Sequence, residues 1–369
     1  MSNFILKEVI NIENELSQIG FDSSYLSKAE DKFRYKNIKI YNCSVAQANI
    51  LKQTALIFGA DCAVNRNVIT GQIAQSDVIL CGSYSQLKKI AKKLMSQPFR
   101  LAILGKNIID FLEPQIRKTK LVGILNVTPD SFSDGGLYLD ETSAQNHFLQ
   151  MLEEGADMID IGAESTRPYS LPISAKEQIE RLTPIIKFAQ KEGLANKVSV
   201  DTKSAEVADF VLNNGVSIIN DVSGFDFDNR LPEVVAKYNA GVILQHSTQK
   251  TEDYKQYENI MEELFFSLKH KIELAKEHGI NNIIIDPGIG FGKVKKDNFV
   301  ILDKIEELYS LNCPIMVGVS RKSFLGVENN DNELKDALTL AVSSPLIKQG
   351  VDYLRVHNVK LHKALVDLV

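Results

Sequence analysis

LVGILNVTPDSFSDGG, residues 121–136, changes character part-way along its length. Its first five residues form an apolar run suited to a buried strand, and then come Asn126, Thr128, Pro129, Asp130, Ser131, Ser133, Asp134 and a glycine pair. A strand that ends on so polar a loop presents it to solvent or to a ligand. The same event recurs down the chain. The strand candidates LVGIL, MIDI, KVSV, SIIN, GVILQ, NIIID, PIMVG and DYLRV alternate with helical windows such as 174–191, where Ile179, Leu182, Ile185 and Ile186 share one face. Eight strands alternating with helices over about 250 residues predict an α/β fold, a parallel (β/α)8 TIM barrel. An open, doubly wound sheet is the alternative.

The chain has 369 residues, 44% hydrophobic and 24% charged, enough for two domains with separate cores. A net charge of -5, with no long like-charge run, argues against nucleic acid as a partner, so any anion must be held by a local pocket. No apolar stretch approaches the ~20 residues of a membrane-spanning helix. The N-terminus, MSNFILKEVINIENELSQIG, carries acids where a leader would carry bases, so a cytoplasmic chain with no membrane partner is expected. Cys43, Cys62, Cys81 and Cys313 form no close pair and read as small buried hydrophobes rather than metal ligands.

The barrel is expected over residues 116–369, preceded by a small α/β extension over 1–115. In that extension Ser44 and Gln47 form a candidate capping box, VILCG (78–82) reads as a buried strand, and Leu87, Ile90, Ala91 and Leu94 line one helical stripe. FLEPQIRKTK, with Pro114, is the expected connector. No nucleotide-binding loop, repeat or low-complexity tract is present, and the function of the extension is not legible.

A barrel carries its chemistry at the carboxyl ends of its strands. Here those ends supply Asn126, then Asp160 and GAESTRP with Thr166, Arg167 and Pro168, then Asp201, then Asn220 and Asp221. They continue with DPGIGFGK (Asp286, Phe291, Lys293), GVSRKSFLG (Ser320, Arg321, Lys322) and RVHN (Arg355, His357). Each alone has an ordinary reading as a cap or turn. Together, at one mouth, they form a coherent set. Arg167, Lys322, Arg355 and His357 suit a phosphate or diphosphate, and Asn126 offers an oxygen to Mg²⁺. Asp201, Asn220 and Asp286 suit the edge of a flat heterocycle bearing amino and ring N–H groups, with Phe291 as an apolar wall.

GILNVTPDSFSDGG, DIGAESTRP, SVDT, IND, IIIDPGIGFGK, GVSRKSFLG and LRVHN, in that order, resemble the dihydropteroate synthase family. The resemblance implies displacement of diphosphate from (7,8-dihydropterin-6-yl)methyl diphosphate by the amine of p-aminobenzoate, giving 7,8-dihydropteroate. It implies that diphosphate leaves first and that a pterin-stabilised cation is then captured. Catalytic roles fall to Asp201, Lys322 and Asp134. Pterin diphosphate contacts fall to Thr166, Asp201, Asn220, Asp286, Lys322, Arg355 and His357, with help from Arg167. The p-aminobenzoate side falls to Phe132, Asp134, Thr166, Arg167, Pro168, Phe291 and Ser320, the Ser320 hydroxyl lying near a helix N-terminus as a carboxylate anchor. Asn126 is the implied Mg²⁺ ligand, a homodimer the implied assembly, and residues 128–136 a loop that closes over the pocket.

Three departures stand out: Ala163 where the family has a second glycine, Gln245 where a methionine packs by the pterin, and Asn358 where an aspartate follows the histidine. The alternatives are a methyltetrahydrofolate:corrinoid methyltransferase-like enzyme and a non-catalytic pterin-binding scaffold. The first needs no diphosphate site, so SRKS and RVH argue against it. The second predicts loss of Asn126, Lys322 or Arg355, and all three are present.

Overall fold

The computed structural model describes residues 6–9, 12–113, 117–127, 137–164, 173–247, 257–327 and 331–369. They pack as two compact units, Met1–Gln115 and Ile116–Val369.

In the first unit, β1 (Tyr35–Ser44), β2 (Asp61–Val64) and β3 (Gln75–Ser83) form an antiparallel sheet in the order β1-β3-β2. Capping boxes start two of its helices. Ser44 and Gln47 cap Val45–Ile57 as expected, and Ser83 and Gln86 cap Tyr84–Leu94 in the same way. Leu51, Leu80, Leu87, Ile90 and Leu94 meet in one core. VILCG is not buried on both faces: Val78 and Leu80 point into the core while Ile79 is 45% exposed. An antiparallel sheet covered by helices on one side alternates in this way. The four cysteines are free thiols, Cys81 half-buried and the others buried.

The second unit is a parallel barrel. Its strands are β4 (Lys120–Asn126), β5 (Met158–Gly162), β6 (Val198–Asp201), β7 (Ile218–Asp221), β8 (Gly241–Gln245), β9 (Ile283–Asp286), β10 (Met316–Val317) and β11 (Tyr353–Val356). They run in the order β10-β11-β4-β5-β6-β7-β8-β9. A parallel bridge between Ile285 and Ile315 closes the ends. The expected helix over 174–191 forms at Ala175–Lys191, with Ser174 as its N-cap and Leu182, Ile185 and Ile186 buried.

Strand periodicity then places the site. Val122, Met158, Ile243, Ile284 and Met316 fill the barrel interior, with Ile218 and Tyr353 packed beside them. Alternate residues along a strand share a face, so the next inward positions toward the carboxyl ends are Asp160, Asn220, Gln245, Asp286 and Arg355. The polar set sits directly on a hydrophobic floor.

The closing seam depends on Asp352. β10 is only two residues long, and the Asp352 carboxylate accepts the N–H of Ile315 at 2.8 Å while also pairing with Arg117. The Arg117 guanidinium lies over the Tyr309 ring at 4.1 Å. Asp352→Ala leaves a buried donor and a cation without their shared acceptor, and should lower barrel stability by about 2–4 kcal/mol. Urea unfolding would read this as a lower midpoint at unchanged slope. A midpoint equal to that of the parent protein would contradict the seam.

Candidate active site

Arg355 is the centre of the mouth. It is 8% exposed, and its Nη1 donates to Asp160 Oδ2 at 2.8 Å and lies 3.7 Å from Asp201 Oδ2. Asp160 also accepts from Ser199 Oγ at 2.6 Å and from Asn220 Nδ2 at 2.9 Å. One carboxylate thereby joins β5, β6, β7 and β11. This holds Asn220 with its Oδ1 buried and without a partner among the described residues, and Arg355 Nε is in the same condition. Buried polar atoms in this state call for an explanation, and at a mouth a ligand supplies it.

The electrostatics are those of crowded charge in a dry place. Burial, reinforced by the neighbouring charge of Asp160, pushes the Asp201 carboxyl up to about 7. Burial also raises Asp286, while Lys322 and Arg355 oppose it. Burial, joined by repulsion from Arg355, brings the Lys322 ammonium down to about 7. For Arg355 burial disfavours the charge, but Asp160, Asp201 and Asp286 outweigh it and hold the guanidinium above its ordinary value.

One strand beyond β10 from Arg355 in the closed order, the turn after β9 adds further groups to the mouth. Asp286 Oδ1 accepts the N–H of Gly288 at 2.7 Å. Lys322 bonds to the Ile289 carbonyl, and its ammonium stands 4.3 Å from the centre of the Phe291 ring. Gln245 is 1% exposed, its amide 3.5 Å from the Val222 carbonyl. Ser320 Oγ lies 2.8 Å from His357 Nδ1 and accepts the His357 N–H at 3.1 Å, joining the loops after β10 and β11. The helix following Ser320 is a single 3-10 turn, Ser323–Leu325.

Asn126 ends β4 with an exposed amide. A Cβ on Gly162 would stand 3.2 Å from Asn126 Oδ1, so the glycine keeps open the space beside that oxygen. An exposed carbonyl oxygen with room around it fits a cation that keeps most of its waters.

The described residues therefore bring together Asn126, Asp201, Asn220, Asp286, Phe291, Ser320, Lys322, Arg355 and His357 at one end of the barrel. Phe132, Asp134, Thr166, Arg167 and Pro168 lie outside the described residues. Two features escaped the sequence reading. Arg355 is no independent cation, because Asp160 neutralises it, and the clue was an acidic residue at an inward position of β5. Arg321 turns away from the mouth to a two-point pair with Asp336, at 2.7 and 2.9 Å.

A family model described as pterin binding enzyme matches residues 122–357. A dihydropteroate synthase from Clostridium beijerinckii is 42% identical over 247 residues, covering 66% of this chain and 90% of that protein. The chain belongs to the dihydropteroate synthase family. The Anaplasma phagocytophilum dihydropteroate synthase, solved with bound 6-hydroxymethylpterin-monophosphate, superposes with a TM-score of 0.62 at 36% identity, covering 68% of this chain and 98% of that one. A bifunctional dihydropteroate synthase/dihydropteroate reductase from Helicobacter pylori is 32% identical over 370 residues, covering 97% of this chain and 95% of its own. The family's compact members match the barrel unit, and the Helicobacter relative matches the first unit as well.

The Asp160–Asp201 repulsion is directly measurable. The Asp201 pKa lies above its unfolded value, so its ionisation works against folding. That contribution to stability is present below about pH 4 and is lost as the pH rises toward 7. Asp160→Asn removes the like charge and leaves Arg355 to Asp201, so the Asp201 carboxyl should titrate well below 7 in a carbon-13 NMR series. An unmoved titration would show that Asp160 does not act on it.

Proposed function

We propose that the barrel joins the methylene carbon of (7,8-dihydropterin-6-yl)methyl diphosphate to the amine nitrogen of p-aminobenzoate, releasing diphosphate and forming 7,8-dihydropteroate. The observation that carries this is the meeting of two unlike groups at one mouth: Asn220 Oδ1, buried and without a partner among the described residues, and the Arg355 guanidinium, both side chains held on Asp160 Oδ2, with Asp286 in the same inward layer two strands from Asn220. The first reads a heterocycle edge and the second takes an oxyanion.

Asn220, Asp286 and Lys322 hold the pterin, and Phe291 contributes its face. Arg355 and His357, with Thr166 and Arg167, take the diphosphate. As the C–O bond breaks, its electron pair leaves on the diphosphate, and the cation left on the methylene faces Asp201. A carboxylate crowded by Asp160 gains most from an arriving positive charge, so the stabilisation is preorganised and electrostatic. The amine lone pair then forms the C–N bond, and the nitrogen sheds a proton to water. Phe132, Asp134, Pro168 and Ser320 complete the p-aminobenzoate side. Asn126 would hold Mg²⁺, which when bound supplies charge neutralisation to the departing diphosphate. Self-association as a homodimer belongs to the same proposal.

A second activity is favoured by one observation: the relative that covers the first unit too is named as a dihydropteroate reductase. Reduction of dihydropteroate takes two electrons and two protons, so it requires a hydride donor. Incubation of the full chain with the pterin diphosphate, p-aminobenzoate and Mg²⁺, followed by mass detection, should yield dihydropteroate. Addition of NADPH as the hydride donor should yield a species two hydrogens heavier. No product from the first mixture contradicts the synthase reading, and no heavier species from the second contradicts the reductase reading.

A further inference from the structure

The turn after β9 contains a charged group with no part in the proposed chemistry. Lys293 is 1% exposed, and its ammonium donates to the carbonyls of His246 at 3.0 Å, Gly288 at 2.8 Å and Phe291 at 3.2 Å. An ammonium has three donors, so the count is filled. The carbonyls come from two loops. His246 follows β8, and its N–H extends the β8–β9 ladder by bonding to the Asp286 carbonyl at 2.9 Å. Its own carbonyl, past the end of the sheet, turns to Lys293.

The two loops touch backbone to backbone there. Gly288 has φ +66, and a Cβ at that position would stand 1.9 Å from the His246 oxygen, so only glycine fits. Its peptide groups are gripped from both sides, the N–H by Asp286 and the C=O by Lys293. No carboxylate pairs with Lys293 among the described hydrogen bonds and ion pairs. Asp286 and Asp297 act on it only through their charge, and burial brings its pKa down to about 7.

We infer that Lys293 is a positioning residue for heterocycle recognition: by gathering the carbonyls of His246, Gly288 and Phe291 it fixes the direction in which Asp286 presents its carboxylate. This rests on the reading of Asp286 as a pterin contact. A built-in comparison exists. Lys271, 5% exposed, donates to the Ser223 and Gly224 carbonyls, both at 2.8 Å, and to Asp226 at 2.7 Å, in the loop after β7. It performs the same backbone chemistry in a different loop, one that does not carry Asp286.

Calorimetric binding of 6-hydroxymethylpterin and of inorganic diphosphate, to parent protein, Lys293→Met, Lys293→Gln and Lys271→Met, tests the inference. Lys293→Met should weaken the pterin about tenfold or more while diphosphate stays within about threefold. Lys293→Gln, which keeps two donors, should lose less, and Lys271→Met should bind both ligands as the parent does. A loss common to both ligands, a pterin affinity unchanged in the folded Lys293 variants, or an equal effect from Lys271→Met would overturn it. Should Lys293→Met fail to fold, Lys293→Gln carries the same comparison. A parent protein that binds no pterin defeats the functional reading itself, whereas normal binding by both parent and variant defeats this inference alone.

Discussion

The buried pair between Arg355 and Asp160 is the interaction on which the mouth of this barrel depends. A guanidinium and a carboxylate taken out of water lose several kcal/mol of hydration each, and the loss is recovered only where geometry and further hydrogen bonds are good. Here Asp160 receives Ser199 and Asn220 as well as Arg355, so three neighbouring elements are registered on one side chain. The pair is also the divide between two chemistries. Asn220 keeps a buried acceptor and Arg355 a buried Nε that find no partner among the described residues. Removal of either partner would strand a buried charge, which typically costs about 3–5 kcal/mol.

Much of this was legible in the sequence. The eight apolar runs and the helical periods between them specify the barrel, since a parallel strand buried on both faces carries so little polarity. The residues at the strand ends announce themselves by contrast with what precedes them. What the sequence does not state is which strand-end charges find one another. Asp160 and Arg355 lie far apart along the chain, and their pairing follows from the closed order of strands and from inward alternation. The first unit was harder. VILCG reads as a continuous apolar run, and only the antiparallel pairing and one-sided helix cover reveal that Ile79 faces solvent.

The three departures from the family pattern acquire physical meaning. Asn358 caps the last helix by accepting the Leu361 N–H at 3.1 Å, and its Nδ2 donates to Asp336 at 3.1 Å. An ionised aspartate there would face the Asp336 carboxylate with no proton to give, so asparagine completes a group that already holds Arg321. Ala163 is buried, and its carbonyl accepts from Arg181 at 3.1 Å, which anchors the start of the loop after β5. Gln245 stands in register with Asp286 on β9, and its amide is an added polar group in the inward layer beside that carboxylate.

The central claim is that the mouth has two walls, one that reads a heterocycle through Asp286 and one that takes an oxyanion through Arg355. Calorimetry with 6-hydroxymethylpterin and with its diphosphate ester, on Asp286→Asn and Arg355→Lys, measures the division. Asp286→Asn should weaken both ligands to a similar extent, about tenfold to a hundredfold, because an amide sets donor against donor. Arg355→Lys keeps the charge but loses the two-point geometry, and should weaken only the diphosphate ester. Equal losses for both ligands in Arg355→Lys, or near-normal pterin affinity in a folded Asp286→Asn, would contradict the account.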